Sequence, residues 1–441
     1  MKFLFIDAGG LHQSTAAKVG SEGHEVVYWS PWNSYYPKFK DYAPGVGVDE
    51  FEKVLEYASH LDSSDIIVFP DVGMGDLADY LRDKGYTVFG AGLGEEAEQD
   101  RAKSIEIMDR VGIAHPDTKV FKGVDEVLKF LEEEDGKSET NQLADGKYFV
   151  KFNIWRGSIN SFPVESLNQA KDMFSKVRSA IGPYAEEMEI VVQTKVEGVE
   201  TGFDIFFNGN EVLTPVMWGF ESGGSYIGFI DTVLPDFLND SLNKAIEYLK
   251  SVNYRGAFSV ELIYDGKDSY WIDWTCRYPM PLGLMYAQFI PNYGEFLAGV
   301  ARGENISTGL PVGKYLGAAE FSSEDALDDF LPATGNEHTK LMHYMKVKDQ
   351  IYIVPGMSSL GIVTGTGNDF KELKEDLDRN IEGVSAFFGN VSTDFIPAIV
   401  DKYVNPLSEL GIKFGDGSKL EAVKGSRARE ILNRFKYEET N

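Results

Sequence analysis

Two carboxylates, Glu261 and Asp273, stand twelve residues apart in a stretch otherwise rich in Phe, Val, Leu, Ile and Trp: RGAFSVELIYDGKDSYWIDWTCR, residues 255–277. Burying two acids among such neighbours is costly unless a cation neutralises them. Carboxylates on rigid strands suit magnesium, which keeps its remaining positions for water and nucleotide phosphates. The stretch reads as two strands joined by a tight turn at Asp265-Gly266. The separation is even, so a turn that adds no bulge puts both carboxylates on one face of the hairpin. Arg277 lies two residues beyond Thr275 on that face, where a guanidinium can stabilise negative charge developing beside a metal. An acidic, solvent-facing hairpin is the alternative that spacing alone leaves open.

Three further places carry chemistry. Lys151 lies inside an apolar strand, KYFVKFN over 147–153, where a lysine usually extends its ammonium to solvent. Arg101 sits on an acidic helix predicted over Glu96–Val111, and a surface i,i+4 pair is its plainest local role. Gly9 and Gly10 follow the first strand and can turn backbone N–H groups toward an anion at a helix N-terminus; a plain strand-to-helix turn is the competing reading. Pro70-Asp71 ends another strand. Asp7-Ala8-Gly9-Gly10 is not G-x-G-x-x-G, so a nicotinamide site is not expected.

The elements that must position these groups can be read in order. Strands at Lys2–Ile6, Glu25–Trp29, Asp65–Phe69 and Thr87–Phe89 alternate with helices at Gln13–Ser21, Asp49–Ala58 and Gly75–Lys84, which implies a doubly wound parallel sheet with ligands at the strands' carboxyl ends. Trp29–Tyr42 reads as a long aromatic loop. Helices at Asp125–Glu134 and within 163–183, with strands at Lys147–Asn153 and Glu189–Lys195, form a small two-layer unit, with a polar loop over 134–146. Strands at Gly202–Phe207 and Val212–Trp218 and a helix at Asp240–Val252 lead to the acidic hairpin, and a helix through Gly299 follows it. From about Leu310 come short strands at Lys314–Phe321, Gln350–Val354 and Gly361–Thr366 and a helix at Asp369–Gly383, with a terminal helix predicted at Ser426–Phe435.

The chain has 441 residues, 42 basic against 70 acidic, a net charge of −28. That length implies two to four domains, and that charge disfavours a nonspecific nucleic-acid surface. A single cysteine, Cys276, allows no intrachain disulfide and fits a reducing compartment. The opening MKFLFIDAGG reads as a buried strand and not a signal peptide, and no apolar run is long enough to span a bilayer. A cytoplasmic enzyme of small molecules is the expectation, its oligomeric state open.

The hairpin pattern, E, eleven residues, D-x-T-x-R, resembles the metal-binding hairpin of the ATP-grasp superfamily. The resemblance implies that Glu261 and Asp273 are metal ligands, that Thr275 stands where the family usually has asparagine, and that Arg277 steadies the acyl phosphate. It implies phosphate contacts for Arg101 and Lys151, with Arg156 as a further cation in the loop over the triphosphate. Gln193, Thr194, Val196 and Glu200 match the adenine and ribose hinge. Within the superfamily the chain is similar to phosphoribosylamine–glycine ligases: Gly9-Gly10, Pro70-Asp71, Val88-Phe89-Gly90 and the loop Glu221–Gly228, with Gly223 and Gly224, parallel their substrate motifs, while the residues after Gly10 and after Arg277 depart from them.

The implied fold is α/β and α+β multidomain: a doubly wound N-terminal pre-ATP-grasp domain over 1–95, a central ATP-grasp domain over 96–118 and 187–309, a lid over 119–186, a C-terminal β-rich α+β domain over 310–425, and a tail over 426–441. The implied reactants are ATP, Mg2+, an amino acid and an amine, joined through an acyl phosphate. Three functions compete: the glycine–phosphoribosylamine coupling of purine synthesis, a diverged ligase acting on another amine such as a nucleotide or modified base, and a non-catalytic ATP-binding relative.

Overall fold

The structure, a computed structural model, describes residues 1–31, 42–137, 146–153, 161–386 and 389–415. Arg156, most of the Trp29–Tyr42 stretch, most of the 134–146 loop and the terminal helix expected at Ser426–Phe435 lie outside the described residues.

Strands β1 (Lys2–Ile6), β2 (Glu25–Trp29), β3 (Glu52–Val54), β4 (Ile66–Val68) and β5 (Val88–Phe89) form a parallel sheet in the order β3-β2-β1-β4-β5. Helices α1 (Gln13–Ser21) and α2 (Gly75–Asp83) connect its strands. Alternating apolar burial explains the arrangement: Phe3 and Phe5 face one core and Leu4 and Ile6 the other. The helix expected over Asp49–Ala58 is absent. Glu52–Val54 instead pairs with Val27–Trp29 as an edge strand, and only Ala58–His60 winds, as one 3-10 turn. The open edge of β2 offers ladder partners that outweigh the helical spacing of that segment.

The helix expected over Glu96–Val111 is also broken. Helix α3 (Glu96–Gln99) ends where Asp100 turns extended, and the Asp100 side chain accepts the Lys103 N–H to cap α4 (Arg101–Val111). Arg101 therefore opens a helix rather than decorating the middle of one.

A second sheet has the order β6-β9-β7-β8, from β6 (Thr118–Lys122), β7 (Tyr148–Phe152), β8 (Ser161–Val164) and β9 (Glu189–Thr194). Helices α5 (Gly123–Lys137) and α6 (Leu167–Ile181) cover one face and give this unit a core of its own.

The largest sheet joins β10 (Val199–Asn208), β11 (Val212–Ser222), β12 (Ser225–Asp231), β13 (Arg255–Tyr264) and β14 (Ser269–Thr275) to three later strands, β15 (Tyr315–Ser322), β17 (Thr339–Leu341) and β20 (Ser359–Gly367), in the order β14-β13-β10-β11-β12-β15-β20-β17. The segment after residue 310 thus continues the central sheet by pairing β15 with β12. Helix α7 (Asp236–Ser251) and a C-terminal helical run, Phe395–Glu409, pack aromatic-rich cores against it. The expected helix through Gly299 is two, α8 (Leu282–Phe289) and α9 (Tyr293–Arg302), separated at Asn292 with φ 49°. They fill the seam between the parallel sheet and the central sheet, where Tyr286 and Phe296 meet Phe206. A small sheet, from β16 (Leu331–Thr334), β18 (Tyr344–Val347), β19 (Gln350–Ile353) and β21 (Ser385–Ala386), and helix α10 (Phe370–Ile381) complete the fold.

Three glycines on adjacent strands, Gly202, Gly219 and Gly228, pair across β10, β11 and β12. A Cβ at Gly219 would lie 2.0 Å from the Ile227 carbonyl oxygen and 2.8 Å from the Tyr226 hydroxyl. Gly219→Ala should therefore destabilise the protein by roughly 2–3 kcal/mol through overpacking against backbone, read as a fall in the midpoint of denaturant unfolding.

Candidate active site

The acidic hairpin reaches its geometry by a route that even spacing does not describe. Tyr264 pairs with Ser269, leaving a four-residue turn, and the register then slips by one between Leu262↔Trp271 and Glu261↔Asp273. An unslipped ladder would set Ile272 opposite Glu261 and turn Asp273 to the other face. The expectation of a bulge-free hairpin is corrected: the bulge at Ile272 is what brings the two carboxylates opposite each other. The same slip lets Trp271 and Trp274, three residues apart, both point into the core, at 0% and 3% exposure.

Asp273 is the meeting point of two other elements. Lys151 on β7 sends its ammonium across to Asp273 Oδ2 at 3.1 Å and to the Ile272 carbonyl at 2.8 Å. Arg101, at the start of α4, pairs with Asp273 Oδ1. Neither cation points freely to solvent: their side chains are 9% and 24% exposed. Burial works against the Asp273 carboxylate, but Lys151 and Arg101 outweigh it and hold its pKa below the usual range. Glu261 has the opposite fate. Burial, then repulsion from Asp273, Glu221 and Glu200, pushes its pKa up to about 8.

Arg277 is held from behind. Its Nε lies 3.0 Å from Glu98 Oε1 and 3.6 Å from Asp71 Oδ1, while Glu98 Oε2 accepts the Cys276 N–H at 2.7 Å. Asp71 packs on Gly9 so closely that a Cβ there would fall 2.1 Å from its carboxylate. The double-glycine turn, Asp71 and Arg277 are thereby one cluster. Asp7 fixes the turn by accepting the Gly10 and His12 N–H groups at 2.9 and 2.7 Å and the Tyr28 hydroxyl at 2.7 Å, and Gly10 takes φ 72°.

An open cavity of ≈ 440 Å³ lies over this face of the central sheet, with Glu200, Glu261, Thr275, Arg277 and Gly223 in its lining. Asp273, Lys151 and Arg101 meet beside it. Gln193, Thr194 and Val196 are not in that lining: the Gln193 amide donates to Thr118 Oγ1 at 3.2 Å, and the Thr194 N–H donates to the Asp117 carbonyl at 2.9 Å. Residues 221–228, expected as a loop, are a β-hairpin in which Ser222 pairs with Ser225 around Gly223 and Gly224, at φ 54° and 77°. Gly224 faces Glu320, whose carboxylate would meet a Cβ at 2.6 Å.

Among the described residues no three His, Cys, Asp or Glu side chains form a ready metal cage. Two opposed carboxylates, with burial and repulsion on Glu261 exceeding what Lys151 offsets, nonetheless fit a hard cation that completes its shell with water and phosphate oxygens. Glu261 and Asp273 are the residues that would hold magnesium, with Thr275 next along the strand.

Several residues at the site had no motif to announce them. Glu98 lies in an acid-rich segment with no pattern to single it out. Asn153 links two units, its Oδ1 accepting the Ala102 N–H and its Nδ2 donating to Glu189. Asp204 lines the cavity at 3% exposure, accepting the Tyr226 hydroxyl at 2.7 Å and the Ser259 hydroxyl at 2.6 Å. The alternation Glu200-Gly202-Asp204 against Val199-Phe203-Ile205 was the available signal. Burial raises the Asp204 pKa from 3.8 to about 6, with the two hydroxyls opposing it. Stability from a raised carboxyl is full below the unfolded pKa and is lost as pH rises through the folded one. Asp204→Asn should thus gain on the wild type by roughly 2–3 kcal/mol between pH 4 and pH 7, measured by denaturant unfolding at each pH.

Parallel sheet, four-stranded unit and central antiparallel sheet meet near the carboxylate hairpin, and the solved structures that superpose on this arrangement show it to be an ATP-grasp fold. Over 89% of this chain and 100% of its own, phosphoribosylamine–glycine ligase from Thermotoga maritima superposes with a TM-score of 0.64 at 15% identity. Biotin carboxylase from Campylobacter jejuni, solved as a β,γ-ATP complex, gives 0.63 at 12% identity over 90% and 95% of the two chains. N5-carboxyaminoimidazole ribonucleotide synthetase from Thermotoga maritima gives 0.58 at 14% over 87% and 99%. No protein-family model and no curated protein sequence matches the chain. No helix among the described residues is long and apolar enough to cross a membrane.

Proposed function

We propose that the protein is an ATP-dependent carboxylate–amine ligase that activates a carboxylic acid as its acyl phosphate and transfers the acyl group to an amine. The observation that carries this reading is the contact of Lys151 and Arg101 with Asp273, directly opposite Glu261. It gathers two cations and two carboxylates from four elements at one edge of a cavity that Arg277 also lines. Lys151 and Arg101 would exchange Asp273 for nucleotide phosphates, and the released carboxylate would join Glu261 as a cation ligand. Magnesium, when bound, neutralises phosphate charge. Arg277, locked by Glu98, would hold the donor carboxylate and steady the charge of the acyl phosphate. Gln193, Thr194, Val196 and Glu200 are assigned to the adenosine end, and Gly9, Gly10, Asp71, Gly223 and Gly224 to the acceptor. The likeness to phosphoribosylamine–glycine ligase makes glycine and phosphoribosylamine the first reactants to test.

One observation favours a different acceptor amine. After Gly10 the polar side chains are buried: His12 and Gln13 are 0% exposed, Gln13 exchanges two hydrogen bonds with Tyr344, and Ser14 donates to the Leu341 carbonyl. The turn thus offers backbone, not polar side chains, to an acceptor. ADP release with Mg-ATP, glycine and phosphoribosylamine, against a panel of other amino acids and amines, tests both readings. Release that needs glycine and phosphoribosylamine supports the purine reaction; release only with another pair supports the diverged ligase. ATP binding without release from any pair would turn the account toward a non-catalytic relative.

A further inference from the structure

Tyr226 reaches Asp204 by an unusual path. The ring begins on β12 and its hydroxyl reaches Asp204 on β10, passing over the intervening strand. It can do so because the sheet beneath is bare: a Cβ at Gly228 would fall 2.8 Å from the Tyr226 ring and one at Gly219 2.8 Å from its hydroxyl. Ser259 closes from the other side, as the direct cross-strand partner of Asp204. The glycine row therefore builds a carboxylate held by two neutral hydroxyls, and all three residues line the cavity.

Among the described residues no cation is seen to act on this carboxylate: the Ser259 and Tyr226 hydroxyls donate to it, and the Glu221 carboxylate in the same cavity lining adds like charge. Burial raises its pKa to about 6, and when ionised it lies buried with no counter-charge acting on it among the described residues. A buried anion in that state is stabilised by a cation that arrives with a ligand. Asp204, Ser259 and Thr275 form one row across three strands, and Gly202, Glu261 and Asp273 form the next row on the same face. Strand spacing and rise put Asp204 and Glu261 roughly 8 Å apart at Cα. That gap suits a small molecule with an ammonium toward Asp204 and a carboxylate toward Arg277, which lines the same cavity.

We propose that Asp204, braced by Tyr226 and Ser259, is the specificity residue that binds the protonated amino group of the carboxylate donor, making that donor an amino acid and not a simple acid or bicarbonate. The proposal rests on the ligase reading above and narrows it.

Hydroxylamine can stand in for the unknown acceptor. It attacks the acyl carbon of the acyl phosphate, forming a hydroxamate and expelling inorganic phosphate, so only ATP and a carboxylate are needed. Glycine, alanine, aspartate and glutamate would each be run against the acid lacking the amino group: acetate, propionate, succinate and glutarate. The wild type should form hydroxamate from at least one amino acid and discriminate against its partner acid. Asp204→Asn should raise KM for that amino acid by roughly 10–100-fold, the worth of a charge-assisted hydrogen bond, leave KM for ATP within about twofold, and shrink the discrimination by the same factor. Tyr226→Phe should move the ratio in the same direction by a smaller factor, and it stands as the test if the Asn variant does not fold. Equal use of amino acids and deamino acids, or unchanged discrimination in the variants, overturns the proposal while leaving the ligase reading standing. Hydroxamate from neither set, with ATP bound, counts against both.

Discussion

Asp273→Asn should lower ATP turnover by at least about 10³-fold while the protein stays folded. The carboxylate is the point where Lys151, Arg101 and the hairpin meet, and the change removes its charge while keeping its shape. Two effects combine. A cation held by Glu261 and residue 273 would lose half its protein charge, and electrostatic stabilisation of this kind is worth several kcal/mol in the transition state. Lys151 and Arg101 are also left without the partner that holds them in place before nucleotide arrives. The stability cost should be only about 1–2 kcal/mol, because Asp273 is one-third exposed and solvent screens its pairs. ADP release and thermal unfolding, measured on one preparation, separate the effects. Turnover near the wild-type rate would remove Asp273 from the site.

Arg277→Ala should do more damage to the fold. Glu98, at 5% side-chain exposure, would remain buried with the Cys276 N–H but without the guanidinium. Breaking a buried ion pair from one side costs about 3–5 kcal/mol, because the surviving charge loses that partner without regaining solvent. The double variant Arg277→Ala/Glu98→Ala should recover most of that loss and still lack activity by about 10³-fold or more, since the cation lining the cavity is gone. Stability in urea and kcat/KM, compared across the four members of the cycle, give the two answers independently. If the double variant regains activity along with stability, Arg277 is structural only.

The residues that can do chemistry were easier to read than the geometry that unites them. Alternation exposed the strand of Lys151 and both strands of the hairpin, because strand side chains have period two. The bulge at Ile272 breaks that period, and its trace, two core tryptophans three residues apart, becomes interpretable only with the register in hand. Local pattern misled at 49–58, where the edge of β2 captured a segment with helical spacing. At Asp100 it hid a cap inside what reads as one helix, and that cap is what aims Arg101 at Asp273. Continuity of the central sheet through β15 and β20 depends on pairing residues nearly a hundred apart, such as Tyr226 with Ala318, which no local window holds. Asp204 escaped motif reading for a different reason: its partners come from β12 and β13, and the glycines that admit Tyr226 have meaning only side by side.

The most direct test of acyl-phosphate chemistry follows oxygen. With ATP, hydroxylamine as acceptor and a donor amino acid carrying ¹⁸O in its carboxylate, a carboxylate oxygen that attacks the γ-phosphoryl group must leave with the phosphate when the acyl group is transferred. Phosphorus NMR should show one ¹⁸O in the inorganic phosphate formed by the wild type and no phosphate production above background from Asp273→Asn. Phosphate released at the same rate without ¹⁸O would mean that water attacks ATP directly, and would contradict the account of this site.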